Sequence, residues 1–239
     1  MQESTSDSPA AGEEPAAATS ARRRAAAVGR LVQLGWEPAH SAHVCALALQ
    51  LFDSLVPLHG LDGTDRDILE VAALLHDVGW TIGEKKHHKH TLQLIRAVPL
   101  DGFTPVEQLV TANVARYHRR SLPRPSHRQF AALSVENQLR VRRLAALLRV
   151  ADGLDRRHLQ VVRELRAEAT GRTVVIRLWV GGDARREILA ASLKSDLFRH
   201  AFGVELRFTT VHGPDTAHDR PDLAASHAEG ECGGSAANP

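Results

Sequence analysis

Residues 74–91, LLHDVGWTIGEKKHHKHT, decide how the rest of the chain is read. The stretch ends an apolar run on a His-Asp pair, His76 and Asp77, then carries His87, His88 and His90 among three lysines. An adjacent imidazole and carboxylate can offer a nitrogen and an oxygen to one cation, or let the carboxylate bridge two. A single His-Asp pair is common by chance. Its meaning depends on whether further His and Asp residues stand where it needs partners.

Working outward, residues 64–77 read as a helix whose broad apolar face holds Ile68, Leu69, Ala72, Ala73 and Leu75, with Gly79 as its exit. Upstream, Leu31, Val32 and Leu34 suggest a short helix stopping at Gly35. A second starts near Glu37 and Pro38, with Val44, Leu47, Ala48 and Leu51 as its stripe. His40 lies one turn before Val44 and His43 close to the same face, so one of the two is expected to be a ligand rather than both.

Downstream, residues 86–97 read as a helix turning Leu92, Leu94 and Ile95 inward. Thr104, Pro105 and Glu107 are an N-cap, a first-turn proline and a third-position glutamate; that helix runs to Tyr117 and His118. Ser134 is expected to cap the longest helix, to about Arg157, with Leu144, Leu147, Leu148 and Ala151 as its stripe. Asp152 comes directly after it. A carboxylate beside a buried stripe is costly unless paired or bound to a metal, and the alternative to a metal is a salt bridge to a nearby arginine.

From Arg172 the period changes to two, with Val174, Ile176, Leu178 and Val180 on one face. Asp183 then caps a helix carrying Ile188, Leu189, Ser192 and Leu193, and residues 204–211 alternate again. This β-α-β unit is too small to stand alone and is expected to pack on the helical part. The fold class is therefore mainly α: a helical bundle over residues 21–165, then a small α/β unit over 166–211. Residues 1–20 and 212–239 have few large apolar side chains and read as disordered tails.

Net charge is +2 and the pI about 8.8, yet the basic residues are uneven. The run at 22–24 reads as solvated tail charge. Those at 85–89 and 116–120 flank the histidines and suit an anionic substrate. With only Cys45 and Cys232, no structural disulfide is expected. No run is long enough to cross a bilayer, and Arg30 interrupts the only leader-like segment, so a cytoplasmic protein without a membrane partner is expected. Aromatics make up 4% of the chain, which leaves few platforms for stacking bases, so nucleic acid is not an expected partner.

The candidates His40, His76, Asp77, His87, His118 and Asp152 thus lie near the ends of separate helices, the adjacent pair excepted. The segments HSAHV, LLHDVG and RVADGLDR resemble the successive ligand segments of the HD-domain superfamily of metal-dependent phosphohydrolases. The resemblance implies His40, His76, Asp77 and Asp152 as ligands of one metal. More closely, LALQLFDSL, AALLHDVGW, HHKHTLQLI, GFTPVEQL, ANVARYHRRSLP and LLRVADGLDRRH resemble the HD-like C-terminal region of the exopolyphosphatase/guanosine-pentaphosphate phosphatase (Ppx/GppA) family. That likeness spans about residues 40–211. It implies this region standing alone, without the family's N-terminal actin-like domain, which in the family carries the phosphatase activity.

The resemblance implies a metal-dependent phosphohydrolase acting on polyphosphate or a guanosine polyphosphate, with Asp77 catalytic. The alternative it implies is a non-catalytic module that binds polyphosphate or a partner, either a second copy in a homodimer or a separate actin-like phosphatase subunit. In two-metal members a further His falls four residues before a small residue. His87, four before Thr91, fits that place better than His90, and His118 resembles the ligand of the next helix. Lys86 stands where the family often has Gly. Imidazoles and carboxylates without thiolates suit Mn, Fe, Co, Ni or Mg, as one ion or two. Lys89, His90, Arg116, Arg119 and Arg120 are expected to neutralise substrate phosphate, unless they are simply a solvated helix end.

Overall fold

The computed structural model describes residues 15–36 and 39–212. The chain opens with α1 (Ala16–Gln33), α2 (Ala39–Ser54), the single turn α3 (Val56–His59) and α4 (Gly63–Leu75). The expected start of the second helix at Glu37 and Pro38 lies outside the described residues. Helix α1 ends before Gly35, whose φ of +61° suits glycine, but it begins well inside the segment expected to be a tail.

The reason is the run at 22–24, which is not solvated tail charge. Arg23 is only 7% exposed and gives Nη1 to Asp67 at 3.2 Å, Nη2 to Glu107 at 3.0 Å and Nε to the Gly102 carbonyl at 2.8 Å. Ser20 donates to Asp67, and Arg24 pairs with Glu70. A buried guanidinium with every arm occupied holds α1 against α4, and composition alone does not reveal those partners.

Helix α4 is the centre of the bundle. Asp62 and Asp65 form a reciprocal capping box that starts it at Gly63, and Ile68, Leu69, Ala72, Ala73 and Leu75 are fully buried. It packs against α1, α2 and two long helices further along the chain. A 3-10 turn (Val78–Thr81) leads to α5 (His87–Ala97), then α6 (Pro105–Arg116), capped by Thr104 and Glu107 as expected. A short α7 (Arg128–Ala131) precedes α8 (Val135–Gly153), which Ser134 caps.

Helix α8 stops at Gly153 rather than near Arg157. Asp155 accepts from the Gln160 backbone N–H at 2.8 Å, and His158 and Gln160 take positive φ, which a continuing helix cannot do. The small unit is also richer than expected. Strands β1 (Val162–Thr170) and β2 (Thr173–Val180) form an antiparallel hairpin; α9 (Arg185–Leu193) and α10 (Asp196–Phe202) cross over to β3 (Glu205–His212), parallel to β2. Strand β1 escapes a period-two reading because a register shift between Val162 and Glu164 breaks its alternation. The expected domain boundary at 165/166 therefore falls inside β1.

The sheet packs on α2, with Gln50 accepting from the Leu165 N–H at 2.7 Å, while α9 and α10 lie on α8. On α9 the inward residues are Glu187 and Ala191. Leu189 and Leu193 face outward at 61% and 74% exposure, because α9 approaches α8 through Ala191 on Gly153, where larger side chains do not fit. Among the described residues no helix is long and apolar enough to cross a membrane.

Candidate metal centre

Every expected ligand sits where a helix begins or ends. His40 is in the first turn of α2, His76 closes α4 with Asp77 next, and His87 opens α5. His118 lies just past the end of α6, and Asp152 in the last turn of α8. All six are buried; the four histidines gather around Asp77, and Asp152 joins through His40.

The chain geometry at residues 76–91 produces this convergence. Asp77, at φ −107° and ψ 2°, turns the backbone out of α4. Thr91 Oγ1 donates to the His76 carbonyl at 2.9 Å and accepts from the Gly79 N–H at 3.1 Å. Gly79 is required there, since a Cβ would lie 2.1 Å from the His87 carbonyl oxygen. Helix α5 is thereby clamped onto the exit of α4, which brings His87 opposite Asp77.

Lys86 begins α5 at φ +62°, a conformation that costs a side-chain-bearing residue about 1–2 kcal/mol. Lys86→Gly is expected to raise stability by about 0.5–1 kcal/mol after glycine's own entropy cost. A urea midpoint that rises at unchanged slope is the predicted result; a lower midpoint contradicts it.

The hydrogen bonds fix which ring nitrogens face inward. A carbonyl oxygen can only accept, so Nδ1–H donates from His76 to Ala73 at 2.7 Å, from His87 to Glu84 at 3.2 Å and from His118 to Ala115 at 2.6 Å. His40 Nδ1 donates to Asp155 at 2.8 Å. On each ring Nε2 is thereby left facing Asp77 or Asp152, with a lone pair free for a cation whenever the ring is neutral.

Two halves result. Near Asp77 Oδ2 stand His76 Nε2 at 3.5 Å and His40 Nε2 at 4.0 Å, the latter 3.7 Å from Asp152 Oδ1. Asp77 Oδ1 is 3.4 Å from His87 Nε2 and 3.4 Å from His118 Nε2, and those two nitrogens are 3.2 Å apart. Lone pairs facing one another at that distance repel unless positive charge lies between them. The buried Nε2 atoms of His40 and His76 also lack any hydrogen-bond partner. Both groups, His40–His76–Asp77 and Asp77–His87–His118, have donor atoms close enough together for one ion each. The donor set of imidazoles and carboxylates fits a divalent transition ion or Mg.

The electrostatics differ between the two halves. Burial pushes the His118 imidazole down to about 3 and lowers His87, which favours the neutral form of both rings. Burial also opposes charge on His40, but Asp152 and Asp155 outweigh it and raise that ring to about 9. For Asp152, burial is outweighed by Lys194 and His40, which hold the carboxyl well below its ordinary value. Asp77 is lowered in the same way, with His76 and His118 overcoming burial.

A cavity of about 400 Å³ opens beside Asp77, His87, His118 and Asp152. Arg119 and Arg120 line it, as do Arg149, Arg156 and Lys194, while Trp80 stacks on His87 at 4.7 Å at the cavity edge. Lys89, His90 and Arg116 are not among its lining residues. Lys89 is exposed, His90 half-buried, and the Arg116 guanidinium lies 5.2 Å from the centre of the Tyr117 ring. His43, the alternative to His40, stands outside both ligand groups. Half-buried His88 is turned edge-on to His87 and is lowered to about 4, first by burial and then by His87.

Three residues at the site escape the sequence reading. Asp155 accepts from His40 Nδ1 at 2.8 Å, and its one signal is its place three residues after Asp152. His158 stacks on the His40 ring at 3.7 Å and 7°. Lys194 bonds Asp152 Oδ2, so the salt bridge that is the alternative for that carboxylate exists but comes from a lysine 42 residues downstream, with no local signal.

Compared with known proteins, residues 24–186 match the family described as "Ppx/GppA phosphatase, domain III". The guanosine-5'-triphosphate,3'-diphosphate pyrophosphatase of Vibrio parahaemolyticus is 34% identical over 82 residues, covering 34% of this chain and 16% of that protein. The protein of the same name from Pseudoalteromonas translucida is 31% identical over 113 residues, 45% of this chain and 22% of its own length. The alignments thus span only a small part of those relatives. With the family match running from the end of the Arg23 anchor through all six converging residues and into α9, the chain belongs to the Ppx/GppA phosphatase domain III family.

Proposed function

We propose that this protein is a metal-dependent phosphohydrolase acting on a phosphate-rich substrate of the polyphosphate or guanosine polyphosphate class. The observation that carries the reading is the convergence of imidazole Nε2 atoms on both oxygens of Asp77. His40, His76, Asp77 and Asp152 would hold one divalent ion, and Asp77, His87 and His118 a second. Such ions, when bound, supply Lewis acidity toward a phosphoryl oxygen and lower the pKa of water. Asp77 holds the two halves in register, and Asp155 fixes the tautomer and aim of His40. Arg119 and Arg120 offer forked donors to the remaining phosphate oxygens across the cavity. The name borne by the relatives, which describes a pyrophosphatase of a guanosine polyphosphate, supports that substrate class.

Phosphate release from polyphosphate and from guanosine pentaphosphate, with Mn²⁺ supplied, tests the reading. Release that stops with EDTA and returns with excess Mn²⁺ is the expected result. Protein that retains Mn²⁺ yet releases phosphate from neither substrate contradicts it. That outcome favours the second reading, a phosphate-binding accessory module, which the excess of Arg and Lys around the cavity supports.

A further inference from the structure

Lys194 belongs to the small α/β unit, at the C-cap of α9, yet its ammonium group reaches the metal-site carboxylate Asp152. Its placement is built rather than incidental. Its backbone N–H closes α9 onto Ala190 at 3.1 Å and Ala191 at 3.2 Å, and its carbonyl accepts from Arg149 Nε at 3.2 Å. Arg149 is 2% exposed and also bonds Asp196 at 2.5 Å, so one buried guanidinium grips the chain on both sides of Ser195. On the other side Ala191 lies against Gly153, where a Cβ would sit 2.5 Å from the Ala191 Cα. The lysine therefore approaches Asp152 from a fixed base.

Asp152 is then shared. Its Oδ2 holds Lys194, while its Oδ1 faces His40 Nε2 at 3.7 Å. Among the described residues no lysine or arginine pairs with Asp77 Oδ1, which faces His87 and His118 at 3.4 Å; the Lys194 charge reaches this half only through space, at His118. An ammonium and a divalent ion on one buried carboxylate repel each other strongly, since little water screens them.

We propose that Lys194 is an internal competitor for the cation held by His40, His76 and Asp152, so that this half fills at higher metal concentration than the His87–His118 half. By reciprocity, filling it loosens the α9–α10 junction. The small unit thus senses metal loading through one side chain. The inference rests on the metal-centre reading above.

Titration calorimetry with Mn²⁺ alone, on the whole chain, tests it in wild type, Lys194→Met and Lys194→Arg, with circular dichroism as the check on folding. In Lys194→Met the weaker binding phase is expected to tighten by about tenfold or more, from removal of a like charge a few ångströms away. Lys194→Arg keeps the charge and is expected to keep the weak phase. Amide exchange across residues 190–199 is expected to speed up on Mn²⁺ addition in wild type and to be insensitive to Mn²⁺ in Lys194→Met. Should the methionine variant misfold, the exchange response of wild type and the arginine variant's titration still decide the matter. Unchanged or weaker Mn²⁺ binding in a folded Lys194→Met protein overturns the competitor role alone. Absence of Mn²⁺ binding in wild type overturns both the competitor and the metal centre.

Discussion

Replacing Asp77 by alanine is expected to weaken divalent-ion binding in both halves of the site together, by about a thousandfold, with the fold retained. Losing a single supporting contact to a ligand costs roughly 10–100-fold in metal affinity, and Asp77 is instead the carboxylate both halves share. Among the described residues no other carboxylate stands on the His87–His118 side. The fold should tolerate the change because the substitution removes a buried charge rather than stranding one. The remaining carboxylate, Asp152, keeps Lys194 as its partner. Mn²⁺ titration beside a thermal melt reads both quantities. An alanine variant that binds as wild type does would mean that Asp77 is not the shared ligand.

Gly79→Ala is expected to have the largest effect on stability, about 3 kcal/mol, although it adds one methyl group and touches no ligand directly. The added Cβ would lie 2.1 Å from the His87 carbonyl oxygen and 2.6 Å from the Thr91 nitrogen, both backbone atoms that no rotamer change can move. The first turn of α5 must shift, breaking the Thr91 bridge between Gly79 and His76 and drawing His87 away from Asp77. Urea unfolding should therefore show the loss, and Mn²⁺ binding in the His87–His118 half should fall in whatever folded protein remains. A variant with wild-type midpoint and wild-type binding would contradict the close approach of α5 to the exit of α4.

How much of the molecule is legible in its sequence varies with the range of the interaction. The six candidate residues can be read because each lies near a predicted helix end and their flanking segments resemble known ligand segments. The choice of His87 over His90 rests on the resemblance, which implies a His four residues before a small residue; that residue, Thr91, donates its hydroxyl to the His76 carbonyl. Contacts between distant segments cannot be read. Arg23 looks like solvated charge because its partners, Asp67 and Glu107, lie 44 and 84 residues away. Lys194 gives no hint of reaching Asp152, and Leu189 and Leu193 suggest an inward face that Ala191 and Gly153 supply instead. Strand β1 is hidden by its bulge, and α10 by its brevity, since seven residues give too few turns for a period to stand out.

Asp77 turns one oxygen to each of the two candidate ligand groups, so the proposed metal centre depends on it. Elemental analysis of Mn²⁺ per chain at saturation, in wild type and in His118→Ala, tests this most directly. The prediction is that His118→Ala loses the ion of its own half and retains the ion held by His40, His76 and Asp152. Wild-type protein that takes up no Mn²⁺, or a His118→Ala variant with an undiminished ion count, would contradict it.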